Sequence, residues 1–182
     1  MSKEFSMARQ PVYILADTSG SMNGESIEAM RIRIPGIISA MKKSSVGMDA
    51  DSIMLELITF NKSPQVECRL ASLDGYPDVN INVDANSPSF FGEALRLLEA
   101  RFAENAWPED YDPLLIILTD GKFSDTMLSK MMIPRIKKLG FAKIIAGLSG
   151  VDTDGKILRD LADEILPIDR LDDVYVRQTI EQ

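Results

Sequence analysis

Two short runs of this chain are apolar throughout: residues 12–16 and residues 114–118. A strand with one wet face alternates apolar with polar residues, whereas a strand that is apolar at every position is covered on both faces. That requirement points to a sheet buried between two helical layers. Each run also leads to an aspartate, Asp17 directly after the first and Asp120 two residues beyond Leu118. In open sheets of this kind, binding sites lie beyond the carboxyl ends of the strands, where the strand order reverses. Asp17 and Asp120 are therefore the first candidates for a functional site.

The rest of the chain supplies the layers. Residues 25–45 place Ile27, Met30, Ile34, Ile37, Ile38 and Met41 on one side of a helix. Pro35-Gly36 lies inside it, and a proline there predicts a kink or a split. Residues 52–61 read as a second strand. The short Ser63-Pro64 connection then demands an antiparallel partner over residues 65–70, whose alternation suits a sheet edge. Residues 74–86 are polar and turn-like. Helices are expected over 90–102, 126–139, 155–162 and 171–180, and strands over 143–148 and 165–168. No internal repeat, low-complexity segment or linker interrupts the pattern. Alternating strands and helices with apolar strands predict one α/β domain over residues 1–182, its core at about 11–180, with a mostly parallel six-stranded sheet and one antiparallel edge strand.

Composition narrows the chemistry. The chain has no histidine, which excludes Ser-His-Asp and Cys-His catalysis and the usual zinc sites. Its net charge of −8 argues against nucleic acid as a partner. No stretch approaches the roughly 20 apolar residues of a membrane span. The first ten residues lack the apolar segment of a secretory signal. Cys68, the sole cysteine, excludes an intrachain disulfide and agrees with a reducing, cytoplasmic compartment.

Asp17-Thr18-Ser19-Gly20-Ser21 puts a carboxylate and the two hydroxyls of Ser19 and Ser21 within five residues of a strand end. Ser89 opens a helix, and Asp120 adds a second carboxylate. All are oxygen ligands, the set chosen by hard cations such as Mg²⁺. Taken alone, Asp17 to Ser21 also reads as a helix-capping turn, because Asp and Ser are preferred caps. Ser124-Asp125 reads as the cap of the helix that follows. Met127, Met131 and Met132 read as packing residues, Cys68 as a small apolar residue, and at least one of Phe90 and Phe91 as core.

Asp17-Thr18-Ser19-Gly20-Ser21 resembles the Asp-x-Ser-x-Ser signature of the metal-ion-dependent adhesion site (MIDAS) of von Willebrand factor A domains. Leu118-Thr119-Asp120-Gly121 resembles the family's second aspartate segment, and Gly92-Glu93-Ala94-Leu95 the helix after its threonine loop. The resemblance runs from Pro11 to Ile180 and is strongest to the bacterial tellurite-resistance, TerY-like group, through Gly20-Ser21-Met22 and Leu118-Thr119-Asp120-Gly121. It implies a three-layer α/β/α Rossmann-like fold. It implies a metal held by Asp17, Ser19, Ser21, Ser89 and Asp120, Mg²⁺ first, with Mn²⁺ or Ca²⁺ as alternatives. It also implies a protein partner whose acidic side chain completes the metal shell, and operon neighbours that include a kinase or a phosphatase. One departure stands out. Where the family has Gly-Gly-Thr, this chain has Ser87-Pro88-Ser89, so Ser89 keeps the hydroxyl but lacks the methyl that stiffens threonine.

Two other functions compete with a binding module. A strand-end aspartate beside Mg²⁺ is also how aspartyl-phosphate enzymes work. Haloacid-dehalogenase-like phosphatases carry Asp-x-Asp there, and here Ser19 stands in the second position. A dinucleotide or P-loop site needs glycine motifs that the chain lacks.

Overall fold

The structure, a computed structural model, describes residues 9–47, 52–105, 107–150 and 155–182. The secretory-signal expectation for the first ten residues falls mostly outside this range. Six strands form one sheet: β1 (Gln10–Asp17), β2 (Ile53–Phe60), β3 (Pro64–Ser72), β4 (Leu114–Thr119), β5 (Lys143–Leu148) and β6 (Glu164–Pro167). Their order is β3-β2-β1-β4-β5-β6, and only the β2–β3 pair is antiparallel. The two apolar runs become the two central strands, as their two-sided burial requires. Their register sets Ala16 beside Leu118, so both strands deliver their polar ends to the same pole.

The period of two divides the core. Val12, Ile14 and Ala16 of β1 point to a cluster shared with α1 (Glu25–Ser44) and α5 (Asp173–Ile180). Tyr13 and Leu15 point to the opposite cluster, under α2 (Phe91–Asn105), α3 (Thr126–Lys137) and α4 (Lys156–Leu161). Three layers result. Tyr13 brings a hydroxyl into the second cluster, where it accepts hydrogen bonds from Asn105 Nδ2 and Trp107 Nε1, each at 3.1 Å. Burial pushes its pKa up to about 12. No helix among the described residues is long and apolar enough to cross a membrane.

Three features differ from the sequence reading, while helix α1 runs through Pro35 without a split. Pro35 is exposed, so the carbonyl deprived of its donor lies on the wet side of the helix, where water can satisfy it. Residues 74–86 are irregular but not merely polar. Tyr76 and Ile81 are buried and Val79 and Val83 half-buried against the α1 layer, at spacings that fit neither a helix nor a strand. Met127 and Met131 are not packing residues. They are 77% and 64% exposed, and only Met132 of the three is buried. Asp125 caps a different helix from the one expected. Its Oδ2 accepts from Glu93 N of α2 at 3.1 Å, while toward α3 its Oδ1 accepts from the Ser129 hydroxyl at 3.1 Å and caps no backbone N–H of that helix. The expectation for Phe90 and Phe91 holds, with Phe91 fully buried and Phe90 half-buried.

One buried charge joins three elements. Glu56 of β2 has no exposure and accepts from Arg101 of α2 through both oxygens, at 2.6 and 2.9 Å. Leu70 N of β3 donates to the same carboxylate at 3.0 Å. Removing only the arginine leaves an uncompensated buried charge, which costs about 3–5 kcal/mol. Arg101→Met should therefore lower the urea midpoint steeply, while Glu56→Leu/Arg101→Leu should recover most of the loss. A double variant as unstable as the single one would show that the pair matters for its shape and not for its charge balance.

Candidate metal centre

The sheet order reverses between β1 and β4. The chain leaves β1 toward β2 and leaves β4 toward β5, so the two loops part and open a crevice at the carboxyl ends. Asp17 closes β1 at the floor of this crevice with no exposed surface. Its Oδ2 accepts from Thr119 Oγ1 at 2.6 Å and from Ser89 Oγ at 3.0 Å, and its Oδ1 accepts from Ser19 N at 3.0 Å. Three segments distant in sequence thus meet on one carboxylate.

The spacing of the first segment follows from extended backbone. Side chains alternate, so Asp17 and Ser19 turn one way and Thr18 the other. Thr18 binds the end of β2, donating its N–H and its hydroxyl to Phe60 O at 2.8 and 3.2 Å. Ser19 Oγ and Ser21 Oγ share a hydrogen bond of 3.2 Å. Ser19 is buried and Ser21 exposed, so this pair leads from the floor of the site to solvent. Gly20 is required by contact, because a Cβ there would lie 2.4 Å from Ala85 O. Its N–H donates to Ser87 O at 2.9 Å, which fastens the loop to the segment before Ser89.

Ser89 lies two residues ahead of α2. Phe90 N donates to Asn61 O, Ser124 N donates to Ser89 O, and Ser89 N donates to Ser124 Oγ. With its backbone held on both sides and its hydroxyl bonded to Asp17, Ser89 is fixed by hydrogen bonds where threonine would be stiffened by its methyl. Ser124 is thus a positioning residue rather than the helix cap expected from its sequence. Phe91 behind it is sandwiched, stacked on Phe123 at 4.2 Å and tilted against Phe60 at 5.7 Å.

Asp120 is 3% exposed. Its Oδ1 accepts from Lys122 N at 3.0 Å, across a turn in which Gly121 takes φ +77°. Its Oδ2 is buried without a hydrogen-bond partner. Burial pushes the Asp17 carboxyl above its usual range, the bonds from Thr119 and Ser19 pull it back, and the charge of Asp120 raises it further. Among the described residues, neither aspartate forms an ion pair with a lysine or arginine.

All five residues singled out from the sequence lie at this pole. Asp17, Ser19, Ser21 and Ser89 form one hydrogen-bonded chain, and Asp120 joins it through the field it exerts on Asp17. Thr119 escaped the sequence reading as a site residue. A hydroxyl at the end of an otherwise apolar buried strand must find a partner, and that was the available signal. The residues fit a hard cation. The donors are all oxygens, one buried carboxylate oxygen is unsatisfied, and two negative charges lack a counter-charge. Among the described residues no three Asp, Glu, His or Cys groups cluster, so the negative charge here comes from two carboxylates, with hydroxyls as the remaining donors.

A family model described as von Willebrand factor type A domain matches residues 12–169. No curated protein sequence matches the chain. Proximal thread matrix protein 1 from the mussel byssus has a similar structure, with a TM-score of 0.72 at 17% identity over 95% of this chain and 47% of that one. The same mussel protein with a zinc-occupied MIDAS motif gives 0.66 at 16% identity, over 96% and 46%. The manganese-loaded TRAP protein of Plasmodium vivax gives 0.72 at 15% identity, over 95% and 73%. The chain thus spans about half the length of the mussel protein. At these identities the likeness establishes a shared fold.

The raised Asp17 carboxyl has a measurable consequence. A carboxyl whose folded pKa exceeds its unfolded value, near 3.8, binds its proton more tightly when folded, so deprotonation destabilises the metal-free protein. In chelator, the unfolding free energy of wild type minus that of Asp17→Asn should fall as pH rises above about 3.8, then level off above the folded pKa. Urea titrations across a pH series read this difference directly, and a flat difference would show that Asp17 titrates normally.

Proposed function

The chain belongs to the von Willebrand factor type A domain family, and on that premise we propose that it is a protein-binding module built around one divalent cation, not an enzyme. Asp17, Ser19, Ser21, Ser89 and Asp120 are the residues that would hold the ion. Mg²⁺ suits the oxygen donors best, with Mn²⁺ or Ca²⁺ as substitutes. The unpartnered, buried Asp120 Oδ2 beside buried Asp17 carries the reading, because two such charges with no cation from the chain are costly. The zinc-occupied motif of the mussel protein and the manganese-loaded Plasmodium protein support it as relatives of the same fold.

When bound, the ion supplies positive charge and an open coordination position for a carboxylate of the partner. The residues of the chain orient the site. Asp17 gathers the Ser89 and Thr119 hydroxyls, and exposed Ser21 marks the side from which a partner approaches. Ser19 at the position where a phosphatase of the Asp-x-Asp kind has its acid–base aspartate weighs against phosphoryl transfer. The Gly20-Ser21-Met22 and Leu118-Thr119-Asp120-Gly121 runs support a place in a bacterial tellurite-resistance or stress system, alongside a kinase or phosphatase. The lone Cys68 supports a cytoplasmic setting. The net charge of −8 weighs against nucleic acid as the partner.

Thermal melts of chelator-treated protein test the centre. Mg²⁺ or Mn²⁺ at a hundredfold excess over its dissociation constant should add about 2.7 kcal/mol of stability. Ser19→Ala and Asp120→Asn should abolish the shift while folding normally in chelator. If wild type shows no shift at millimolar metal, or if these variants retain it, the ligand set is wrong.

A further inference from the structure

We propose that the exposed face of α3 is a second docking surface, for an acidic protein segment that also carries apolar side chains. It deepens the metal-centre reading, and rests on that reading only for where the partner segment begins. The face is a stripe. Met127, Lys130, Met131, Pro134 and Lys138 recur at helical spacing and are all exposed, while Ser129, Met132, Ile133 and Ile136 are buried beneath them. Single exposed apolar residues are ordinary on a protein surface. Two methionines one turn apart, interleaved with lysines, make a continuous amphipathic strip.

Charge identifies the occupant. From Thr126 to Gly150 the chain carries Lys130, Arg135, Lys137, Lys138 and Lys143 and no Asp or Glu, within a molecule of net charge −8. Arg135 is paired with Glu99 and Lys143 with Glu164. Lys130, Lys137 and Lys138 have no ion-pair partner among the described residues. The net negative charge of the molecule repels an acidic segment overall, whereas this run of unpaired lysines attracts one locally.

Location connects the strip to the metal centre. Helix α3 starts six residues beyond Asp120, and exposed Lys122 stands between them. The helix then leads away from the crevice for about 18 Å. A partner that sets a carboxylate at the centre can lay the following turns along this strip. The methionines favour a protein over a nucleic acid. Thioether side chains adapt to apolar partners, whereas single-stranded nucleic acids are gripped by aromatic stacking, and the strip has no aromatic residue.

Fluorescence anisotropy tests the surface without metal. The probe is a synthetic peptide of about 15 residues alternating Glu with Leu and Phe. A Lys-for-Glu version and an oligo-dT of equal charge serve as comparators. In chelator the acidic peptide should bind wild type, and Lys130→Glu/Lys138→Glu should weaken it at least about tenfold with a shallower salt dependence. Met127→Ser/Met131→Ser should also weaken the peptide but leave oligo-dT unaffected. All four positions are exposed, so melts of both variants should match wild type. The proposal is overturned if the peptide does not bind, if either pair of substitutions leaves its affinity unchanged, or if oligo-dT binds wild type as tightly. Mg²⁺ separates the two readings. If added Mg²⁺ fails to tighten the peptide on wild type while the α3 dependence persists, the metal-centre reading fails and the α3 surface stands.

Discussion

Everything at the functional pole depends on the parallel pairing of β1 with β4. That register places the last residues of both strands side by side, so Asp17 and Thr119 meet within a short hydrogen bond. It also makes these two strands the switch point of the sheet, where no crossover covers the top. A shift of one residue would turn Asp17 to the other face if it occurred in β1, and Thr119 if it occurred in β4. The apolar faces of Val12, Ile14, Leu115 and Ile117 hold the register by burial against the two helical layers.

The centre concentrates an unfavourable arrangement on that foundation. Asp17 and Asp120 are both nearly inaccessible, both acidic and without a basic partner among the described residues. Hydrogen bonds from Thr119 and Ser19 offset part of the desolvation of Asp17, and Asp120 retains one unsatisfied oxygen. Elsewhere the chain handles a buried charge differently. Glu56 is neutralised by Arg101 and bonded by Leu70 N. The contrast within one molecule separates a charge satisfied internally from two carboxylates left without a counter-charge among the described residues.

Precision at the centre comes from backbone rather than from bulky side chains. Gly20 touches Ala85 so closely that no side chain fits, Thr18 is anchored to the end of β2, and Ser89 is clasped by Ser124. Each clamp comes from a loop that starts at a strand end or leads into a helix, so the rigidity of the sheet is handed to the loops. Serine can stand at position 89 because its rotamer is held from outside.

The sequence by itself determined the layers and the location of the site. Two runs apolar at every position demand burial on both faces, and a carboxylate at the end of each can only sit at the rim of such a sheet. The antiparallel edge was legible from the short Ser63-Pro64 connection, and the gathering of Asp17, Ser19, Ser21, Ser89 and Asp120 at one pole from the family resemblance. Tertiary structure decided what depends on the partner of a residue rather than on its own chemistry. Asp125 and Ser124 look like caps of α3, yet they serve Glu93 and Ser89, because α2 packs alongside. Residues 74–86 show no period, and yet Tyr76 and Ile81 enter the core, since an irregular segment can bury side chains at any spacing its path allows. Met127 and Met131 fit a helical pattern as well as Met132 does. Periodicity assigns them to a helix, and only the position of that helix against the sheet decides which of its sides is left in water.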